Sequence, residues 1–262
     1  MRDMTDQKGG FYSAEDADSE GKEGKFYVWT EKEIRHALKE EDANLIINVF
    51  NIERAGNFKG EIAGRNTGDN ILHLKKSLAE IAFGNKTSLE ELKERVETAR
   101  RKLCAVRSKR IRPHRDDKIL TDWNGLMLAA LAKGAQVFDV PEYLAAAERA
   151  TDFILSDMRR QDGRLLHRYR DGQADILAFA DDYAFFIWGL LELYETNFDV
   201  RYLQTALDLN SEMINHFWDN QSGGFYFTAN DMEELLVRQK DVYDGAIPSG
   251  NSVAVLNLFR LA

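Results

Sequence analysis

Apolar residues in the C-terminal half of the chain follow the three- and four-residue spacing of α-helices, and short polar segments separate them. The segments that begin near Pro141 and Val200 are apolar on one face, which predicts amphipathic helices that face solvent. The segments that begin near Asp122, Asp181 and Ser249 are apolar on nearly every side. Helices of that kind are buried all round, so the pattern indicates an inner and an outer set of helices.

The inner and outer helices alternate in a repeat of helix, helix and β-hairpin. Equivalent positions lie 60 residues apart from Trp123 to Tyr183, and 69 residues apart from Tyr183 to Ser252. Asp171-Gly172 is a hairpin turn signal, and a second glycine-led hairpin is expected from Gly223 onward. An inner ring of helices wrapped by an outer ring predicts a mainly α fold, an α/α toroid with short β-hairpins between its helical hairpins.

The N-terminal part of the chain is less regular. Thr30 with Glu33, and Ser88 with Glu91, form capping-box patterns that mark two helix starts. Between them, residues 51–70 are rich in glycine and asparagine and are expected to form a long loop.

A single partial toroid domain is therefore expected over residues 1–262. Within it, residues 1–118 would hold an acidic loop, helices and the long loop. Residues 119–262 would hold the regular helical-hairpin repeats.

The tetrapeptide GGFY occurs at residues 9–12 and again at residues 223–226. The second copy is expected to begin the hairpin between an outer helix and the next inner helix, and the first copy to do the same. The acidic loop that follows the first copy, with Asp16 and Asp18, is then expected at the end of the toroid where inner helices begin. An EF-hand is not expected there, because Tyr27 stands where a bidentate glutamate would bind calcium.

Composition and charge exclude several classes of function. The net charge of −9 argues against a general attraction to nucleic acid or to an anionic membrane. The basic segment of residues 100–118 has no aromatic residues between its charges, so it offers no stacking platform for nucleic acid. No stretch approaches the roughly 20 apolar residues that span a bilayer. The single cysteine, Cys104, excludes an internal disulfide framework, and a cytoplasmic protein is expected.

Each inner helix is expected to begin with a polar cluster. The clusters are Asp122-Trp123-Asn124-Gly125, Asp181-Asp182-Tyr183 and Ser249-Gly250-Asn251-Ser252. Any one of them could serve only as an N-cap, which stabilises a helix by roughly 1 kcal/mol. Three N-termini that converge on one mouth instead predict a sugar-binding surface. Aromatic faces stack on pyranose rings, and carboxylates and amides hydrogen-bond the hydroxyl groups.

The candidate catalytic groups are carboxylates that could act as acid and base, or as acid and nucleophile. They are Asp16, Asp18, Asp117, Asp122, Asp181 and Asp182. The candidate substrate-binding residues are Trp123, Asn124, His167, Tyr183 and Asn251. His167 alternates with Leu165 and Tyr169 along a strand, so it either points into the mouth or packs within the hairpin. No HExxH, GxGxxG or P-loop motif is present, so no metal and no cofactor are expected.

Five motifs in order resemble those of one family. They are GGFYSAEDADSEG, EGKFYVWT, DDKILTDWNGL, AFADDYA and IPSGNSVA. The chain resembles the spermatogenesis-associated thioredoxin-domain proteins and their bacterial YyaL-like relatives. The resemblance implies an incomplete (α/α)6 toroid, similar to N-acylglucosamine epimerases and six-hairpin glycosidases.

Members of that family usually also carry an N-terminal thioredoxin-like domain. This sequence contains no CxxC and begins just before the first motif, so it is expected to be a fragment of a longer protein. The missing N-terminal portion is then an expected partner. An open toroid would expose apolar inner helices, and self-association through that open edge would cover them.

Two functions follow as hypotheses. The first is a carbohydrate-active toroid, with epimerase, isomerase or glycosidase-like chemistry on a sugar ligand. The second is a non-catalytic scaffold that presents a ligand or a protein partner to the thioredoxin-like domain. A fold of this kind does not by itself decide between them.

Overall fold

The computed structural model describes residues 2–58, 67–233 and 236–262. Part of the predicted loop at 51–70 and part of the second predicted hairpin lie outside these residues. The helices are α1 (Glu31–Ala37), α2 (Glu40–Val49), α3 (Leu78–Gly84), α4 (Leu89–Arg107), α5 (Thr121–Phe138), α6 (Pro141–Asp157), α7 (Ala180–Asn197), α8 (Val200–Phe217) and α9 (Gly250–Leu261). The strands are β1 (Ala14–Glu15), β2 (Asp18–Ser19), β3 (Lys22–Glu23), β4 (Arg115–Asp116), β5 (Ile119–Leu120), β6 (Leu166–Arg170) and β7 (Gln173–Leu177).

The chain divides into two compact units. The first comprises Met1–Ala14 with Asp116–Ala262, and the second comprises Glu15–Arg115. The division near residue 115 lies close to the predicted change at residue 118, while the assignment of a single domain stays a prediction.

The first unit has the inner and outer helices that the sequence predicted. The inner helices α5, α7 and α9 pack side by side in that order, and the outer helices α6 and α8 pack on α5 and α7. The middle inner helix, α7, is buried most completely; its fully buried side chains include Tyr183, Phe185, Phe186, Ile187, Leu190 and Leu193. This arrangement is that of part of an α/α toroid, so the predicted fold class is confirmed.

Small residues allow α5 and α7 to approach closely. A Cβ atom added at Gly125 would lie 2.4 Å from the carbonyl carbon of Phe185, and one added at Gly189 would lie 2.9 Å from the carbonyl oxygen of Gly125. Any side chain at either position would force the helices apart. The start of α5 is therefore held against the first half of α7, which brings their N-terminal residues together.

The two GGFY copies form similar turns that differ in length by one residue. Gly9 and Gly223 have positive φ angles of 113° and 72°, which favour glycine. The phenylalanine of each copy pairs across an antiparallel bridge, Phe11 with Thr5 and Phe225 with Trp218. A third turn of this kind precedes α7, where Gly163 has a φ of 92° and Leu165 bridges to Arg159.

The two predicted hairpins have different outcomes. Strands β6 and β7 pair antiparallel around Asp171-Gly172, whose φ angles of 51° and 81° fit a type I′ turn. After Gly223, the described residues form no paired strands beyond the bridge to Phe225. Side chains take over part of the hydrogen bonding there: Arg238 donates to the Thr228 carbonyl oxygen and Lys240 to that of Gly223. The second hairpin stays a prediction, because the Phe227 N–H donates to the Gln239 carbonyl oxygen at 2.7 Å across its two arms and residues 234–235 lie outside the described residues.

The second unit is built from α1 to α4 around its own core, in which Ile34, Ile46 and Leu92 are almost fully buried. Thr30 and Glu33 form both bonds of the predicted capping box at the start of α1. At the start of α4, Ser88 accepts the Glu91 N–H, while the Glu91 carboxylate accepts a hydrogen bond from the neighbouring Thr87 hydroxyl. In the described part of the chain, no helix has both the length and the apolar character to cross a bilayer.

Candidate active site

The carboxylate of Asp182 joins the starts of two inner helices. It lies in the first turn of α7 and has no exposed surface. One oxygen, Oδ2, accepts the backbone N–H of Phe179 at 2.7 Å, and the other, Oδ1, accepts the backbone N–H of Asp122 at 2.9 Å. The same side chain therefore satisfies a free donor at the start of α7 and another at the start of α5.

His167 is held by the same carboxylate. It lies on β6, and its Nδ1 is 3.0 Å from each oxygen of Asp182. A carboxylate is an acceptor only, so Nδ1 carries the hydrogen and Nε2 remains for proton exchange. Burial alone would lower the pKa of His167, but the hydrogen bond and charge of Asp182, with the charge of Asp122, outweigh it and raise that pKa.

Asp122 completes the cluster at the first turn of α5. Burial, followed by the negative charge of Asp182, raises the pKa of Asp122 to about 7. One oxygen of Asp122, one ring nitrogen of His167 and one oxygen of Asp182 all lie within 4.8 Å of one another. At neutral pH, an acid that is close to half protonated thus lies beside an oriented imidazole, the arrangement used in general acid–base catalysis.

Asp181, the residue before Asp182, contacts α9, which is the other inner helix that packs against α7. Its carboxylate lies beside Gly250 at the start of α9, and the Gly250 N–H partly offsets the rise in the pKa of Asp181. A Cβ atom at Gly250 would lie 2.1 Å from Asp181 Oδ1, so only glycine permits this contact. Burial, then the charges of Asp182 and Asp241, raise the pKa of Asp181 to about 6. The adjacent carboxylates of Asp181 and Asp182 therefore tie α7 to α9 on one side and to α5 on the other.

Asp122, His167 and Asp182 are also the group of described residues that could hold a metal ion. The contacts of Asp182 fit this function poorly, because both oxygens already accept N–H groups. A metal would also have to replace the hydrogen bond from His167 Nδ1, with metal–ligand distances of about 2.0–2.2 Å. The donor set fits a hydrogen-bonded acid–base group better than a metal centre.

Three of the predicted substrate-binding residues have hydrogen-bond partners within the fold. Tyr183 is fully buried, and its hydroxyl accepts the Leu165 N–H at 3.1 Å. Asn124 is buried and its amide binds the backbone N–H and carbonyl of Phe11. Asn251 binds the N–H and carbonyl of Phe225 in the same way. Each of these side chains holds one of the three glycine-led turns, and a role in substrate binding stays a prediction.

The other predicted residues are distributed between the two units. Trp123 follows Asp122 on α5 and is 45% exposed, so part of its indole is accessible. Asp117 Oδ1 lies 2.9 Å from Arg170 Nε in an ion pair. Asp16 and Asp18 are exposed residues of the second unit, where Asp16 Oδ1 accepts the Asp18 N–H. A catalytic role for Asp16, Asp18 or Asp117 stays a prediction.

Sequence reasoning missed the pairing of His167 with Asp182, and it missed the residues of the loop before α9. Asp241 acts on the pKa of Asp181, and Tyr243 is 80% exposed nearby in sequence. The signal was present in the segment DVYDG, an aromatic residue between two aspartates just before the third polar cluster.

Because the pKa of Asp122 is raised, we expect the free energy of unfolding to depend on pH. Asp122→Asn should remove the part of this dependence that comes from Asp122. The folded protein holds this proton more tightly than the unfolded chain, where the pKa of aspartate is about 3.9. The stability from this group is therefore present at low pH and falls as pH rises from about 4 through 7. The raised pKa of His167 gives a fall in the same direction in both proteins.

We expect the free energy of unfolding of the wild type, minus that of Asp122→Asn, to fall by about 1–3 kcal/mol between about pH 5 and pH 8. Urea unfolding of both proteins at several pH values measures it. A difference that stays constant over this range would contradict the assigned pKa.

The chain has distant likenesses among solved structures. D-mannose isomerase is 16% identical with a TM-score of 0.46, over 70% of this chain and 52% of that one. Cellobiose 2-epimerase from Spirochaeta thermophila is 18% identical with a TM-score of 0.45, over 55% of this chain and 39% of that one. At such low identity and partial overlap, these likenesses say nothing about the activity of this chain.

No family model matches the chain. Sequence relatives, however, match almost all of it. Spermatogenesis-associated protein 20 from Homo sapiens is 33% identical over 291 residues, which cover 99% of this chain and 36% of that protein. The uncharacterized protein B0495.5 from Caenorhabditis elegans is 31% identical, over 100% of this chain and 38% of that protein. The chain thus spans little more than a third of the length of these relatives, and over that length it belongs to the family of spermatogenesis-associated protein 20.

Proposed function

We propose that the first unit carries out acid–base chemistry on a sugar, of the epimerase or isomerase type. The observation that supports it is the oriented His167 imidazole beside Asp122, a carboxyl group whose pKa is about 7. A carboxyl group that is close to half protonated at neutral pH, beside an oriented imidazole, can take part in proton transfer at carbon.

In the proposed reaction, His167 Nε2 removes the proton from the carbon beside the sugar carbonyl. Asp122, in its protonated form, donates its proton to the carbonyl oxygen, and an enediol results. For an isomer, the protonated His167 gives its proton to the neighbouring carbon while the Asp122 carboxylate takes the proton of the enediol hydroxyl on the original carbon, which restores both groups. For an epimer, the enediol first turns its opposite face to His167, which then protonates the same carbon while Asp122 takes back the hydroxyl proton. Asp182 acts as a positioning residue, since its hydrogen bond fixes the tautomer and the direction of the His167 ring.

The same contacts favour proton transfer over glycoside hydrolysis. Hydrolysis needs two available carboxyl groups on either side of the glycosidic bond. Asp182 is fully buried and accepts hydrogen bonds from Phe179, Asp122 and His167, so it cannot attack a sugar carbon. Asp181 is engaged with the start of α9.

Loss of either proton-transfer group tests the proposal. We expect Asp122→Asn and His167→Gln each to lower turnover about 100-fold or more, the usual size of a general acid–base contribution. A panel of aldoses and ketoses in deuterated water, followed by NMR, reports both isomerisation and deuterium incorporation at carbon. Asp171→Asn, which changes an exposed residue of the β6–β7 turn, serves as the matched control. Wild-type turnover by the Asp122 variant would remove this residue from the mechanism.

A non-catalytic binding domain is the second candidate function. It is favoured by the structural use of Asn124, Tyr183 and Asn251, which leaves fewer side chains for a substrate than the sequence suggested. Binding of sugars by the wild type, without isomerisation or deuterium incorporation for any member of the panel, would support this candidate over the first.

A further inference from the structure

The phenyl ring of Phe179 lies against the imidazole of His167. The two ring centroids are 5.1 Å apart and the ring planes meet at 69°, the edge-to-face geometry that aromatic pairs prefer. Phe179 is also the N-cap residue of α7, and its backbone N–H donates to Asp182 Oδ2 at 2.7 Å. Phe179 therefore contacts both partners of the hydrogen bond in the candidate active site, the carboxylate through its backbone and the imidazole through its ring.

A second aromatic ring supports that of Phe179. Phe227 stacks on it, with centroids 4.8 Å apart and planes only 10° from parallel. The backbone of Phe227 is fixed at both polar atoms, because its carbonyl oxygen accepts the Ala180 N–H at 3.0 Å and its N–H donates to the Gln239 carbonyl oxygen at 2.7 Å. The stacked pair is thus bonded to the start of α7, and neither ring can shift without disturbing that contact.

The hydrogen bond to Asp182 does not by itself fix the plane of the His167 ring. His167 Nδ1 lies 3.0 Å from each carboxylate oxygen, and hydrogen bonds tolerate deviations of tens of degrees from linearity. The bond therefore selects the nitrogen that carries the hydrogen, while the ring can still tilt and change the direction of the Nε2 lone pair. A flat side chain packed against the imidazole restricts that tilt, since packing fixes the rotamer of a functional side chain together with its hydrogen bonds.

We propose that Phe179 is a positioning residue that fixes the plane of the His167 ring, and that Phe227 supports it. The expected effect on turnover rests on the proposed proton transfer, whereas the effect on the imidazole does not. In that reaction, Nε2 must point at the hydrogen that it removes, and a misplacement of about 1 Å can lower the rate about 100-fold.

The direction and the freedom of the His167 ring test this inference without a substrate. In protein with carbon-13 labelled histidine, NMR relaxation gives an order parameter for the ring C–H bonds, and residual dipolar couplings give their direction. We expect an order parameter of about 0.85 in the wild type, and in Phe179→Leu either a value below about 0.6 or a new direction of the ring. Leucine keeps the apolar character of the position but not the flat ring.

Phe227→Leu is the second variant. It removes the stacked ring and leaves the backbone bonds of Phe227 to Ala180 and Gln239 in place. We expect a change in the His167 ring of the same kind as in Phe179→Leu, but smaller. This variant carries the test if Phe179→Leu does not fold.

Phe153→Leu is the matched control. The Phe153 ring meets that of Tyr169 edge to face, with centroids 5.0 Å apart and planes at 89°, and Tyr169 lies two residues after His167 on β6. The substitution removes the same kind of contact from the same strand. It should lower stability and leave the order parameter and direction of the His167 ring unchanged, so an equal change in Phe153→Leu and Phe179→Leu would overturn the inference.

Turnover gives the second readout. On a sugar that the wild type converts, we expect Phe179→Leu to lower kcat about 10- to 100-fold and to change KM less than about 3-fold, because the ring positions a reacting group and does not bind the substrate. A kcat that stays at the wild-type value while the His167 ring is displaced would overturn the positioning role.

The outcomes separate this inference from the proposed function. An unchanged His167 ring in Phe179→Leu overturns the inference, even when Asp122→Asn abolishes turnover and the proposed chemistry stands. A displaced or freed His167 ring in a protein that converts no sugar of the panel supports the inference about the imidazole, while it removes the proposed chemistry.

Discussion

Asn124→Asp is expected to destabilise the first unit by roughly 3–5 kcal/mol, the range measured when a buried charged group loses its partner. The Asn124 amide donates from Nδ2 to the carbonyl oxygens of Phe11 and Leu120, at 3.0 and 2.8 Å. An aspartate has the same shape but only lone pairs, so its oxygen would face two acceptors in a buried site. Only the bond from the Phe11 N–H to Oδ1, at 2.8 Å, could remain.

The chain offers two comparisons for this substitution. Asn251→Asp changes the same contacts at the second GGFY turn, but Asn251 is only partly buried and water can reach it, so a smaller loss is expected. Asn48→Asp places the same change on the exposed face of α2 and should alter stability by less than about 0.5 kcal/mol. Urea unfolding followed by circular dichroism gives the three values. Equal losses for Asn124→Asp and Asn48→Asp would show that the amide does not fasten the N-terminal turn.

The helices were predictable because their apolar spacing is a local property of the sequence. The burial of α7 followed from apolar residues on every side, and the outer position of α6 and α8 followed from their one-sided stripes. The division between α1 and α2 was missed. Leu38 and Lys39 adopt extended conformations there, while the apolar spacing continues across them.

The roles of polar residues at the helix starts were harder to predict. Asn124, Tyr183 and Asn251 occupy positions that suit a ligand as well as they suit a turn. Which function applies depends on contacts between distant segments, such as that between Phe11 and Asn124, which local patterns do not contain. In the structure all three side chains bind glycine-led turns, and each turn is held by a side chain of the inner helix that follows it.

The sequence predicted the residues of the candidate active site but not the hydrogen bond that joins two of them. Asp122, Asp182 and His167 were each proposed from the sequence. The hydrogen bond between His167 and Asp182 arises because β6 runs past the start of α7 after pairing with β5 and β7. That geometry depends on the register of the strands, which composition and spacing leave undetermined.

Asp182→Asn is expected to lower the stability of the first unit by about 2–4 kcal/mol, since it leaves buried donors without acceptors. The carboxylate accepts the Phe179 N–H on one oxygen and the Asp122 N–H on the other. An asparagine keeps one acceptor oxygen, so its NH₂ group must face one of these N–H donors. The starts of α5 and α7 would then lose a shared contact. The pKa of His167 should also fall, because the hydrogen bond and charge of Asp182 are what raise it.

Two measurements distinguish this positioning role from a general loss of packing. Urea unfolding gives the change in stability, and an NMR titration of the His167 ring gives the change in its pKa. Asp171→Asn is the matched control, because Asp171 is exposed in the β6–β7 turn at a φ of 51°, a conformation that asparagine tolerates. A loss of packing alone would lower stability without changing the His167 pKa, so an unchanged His167 pKa in Asp182→Asn would mean that this carboxylate does not hold the imidazole.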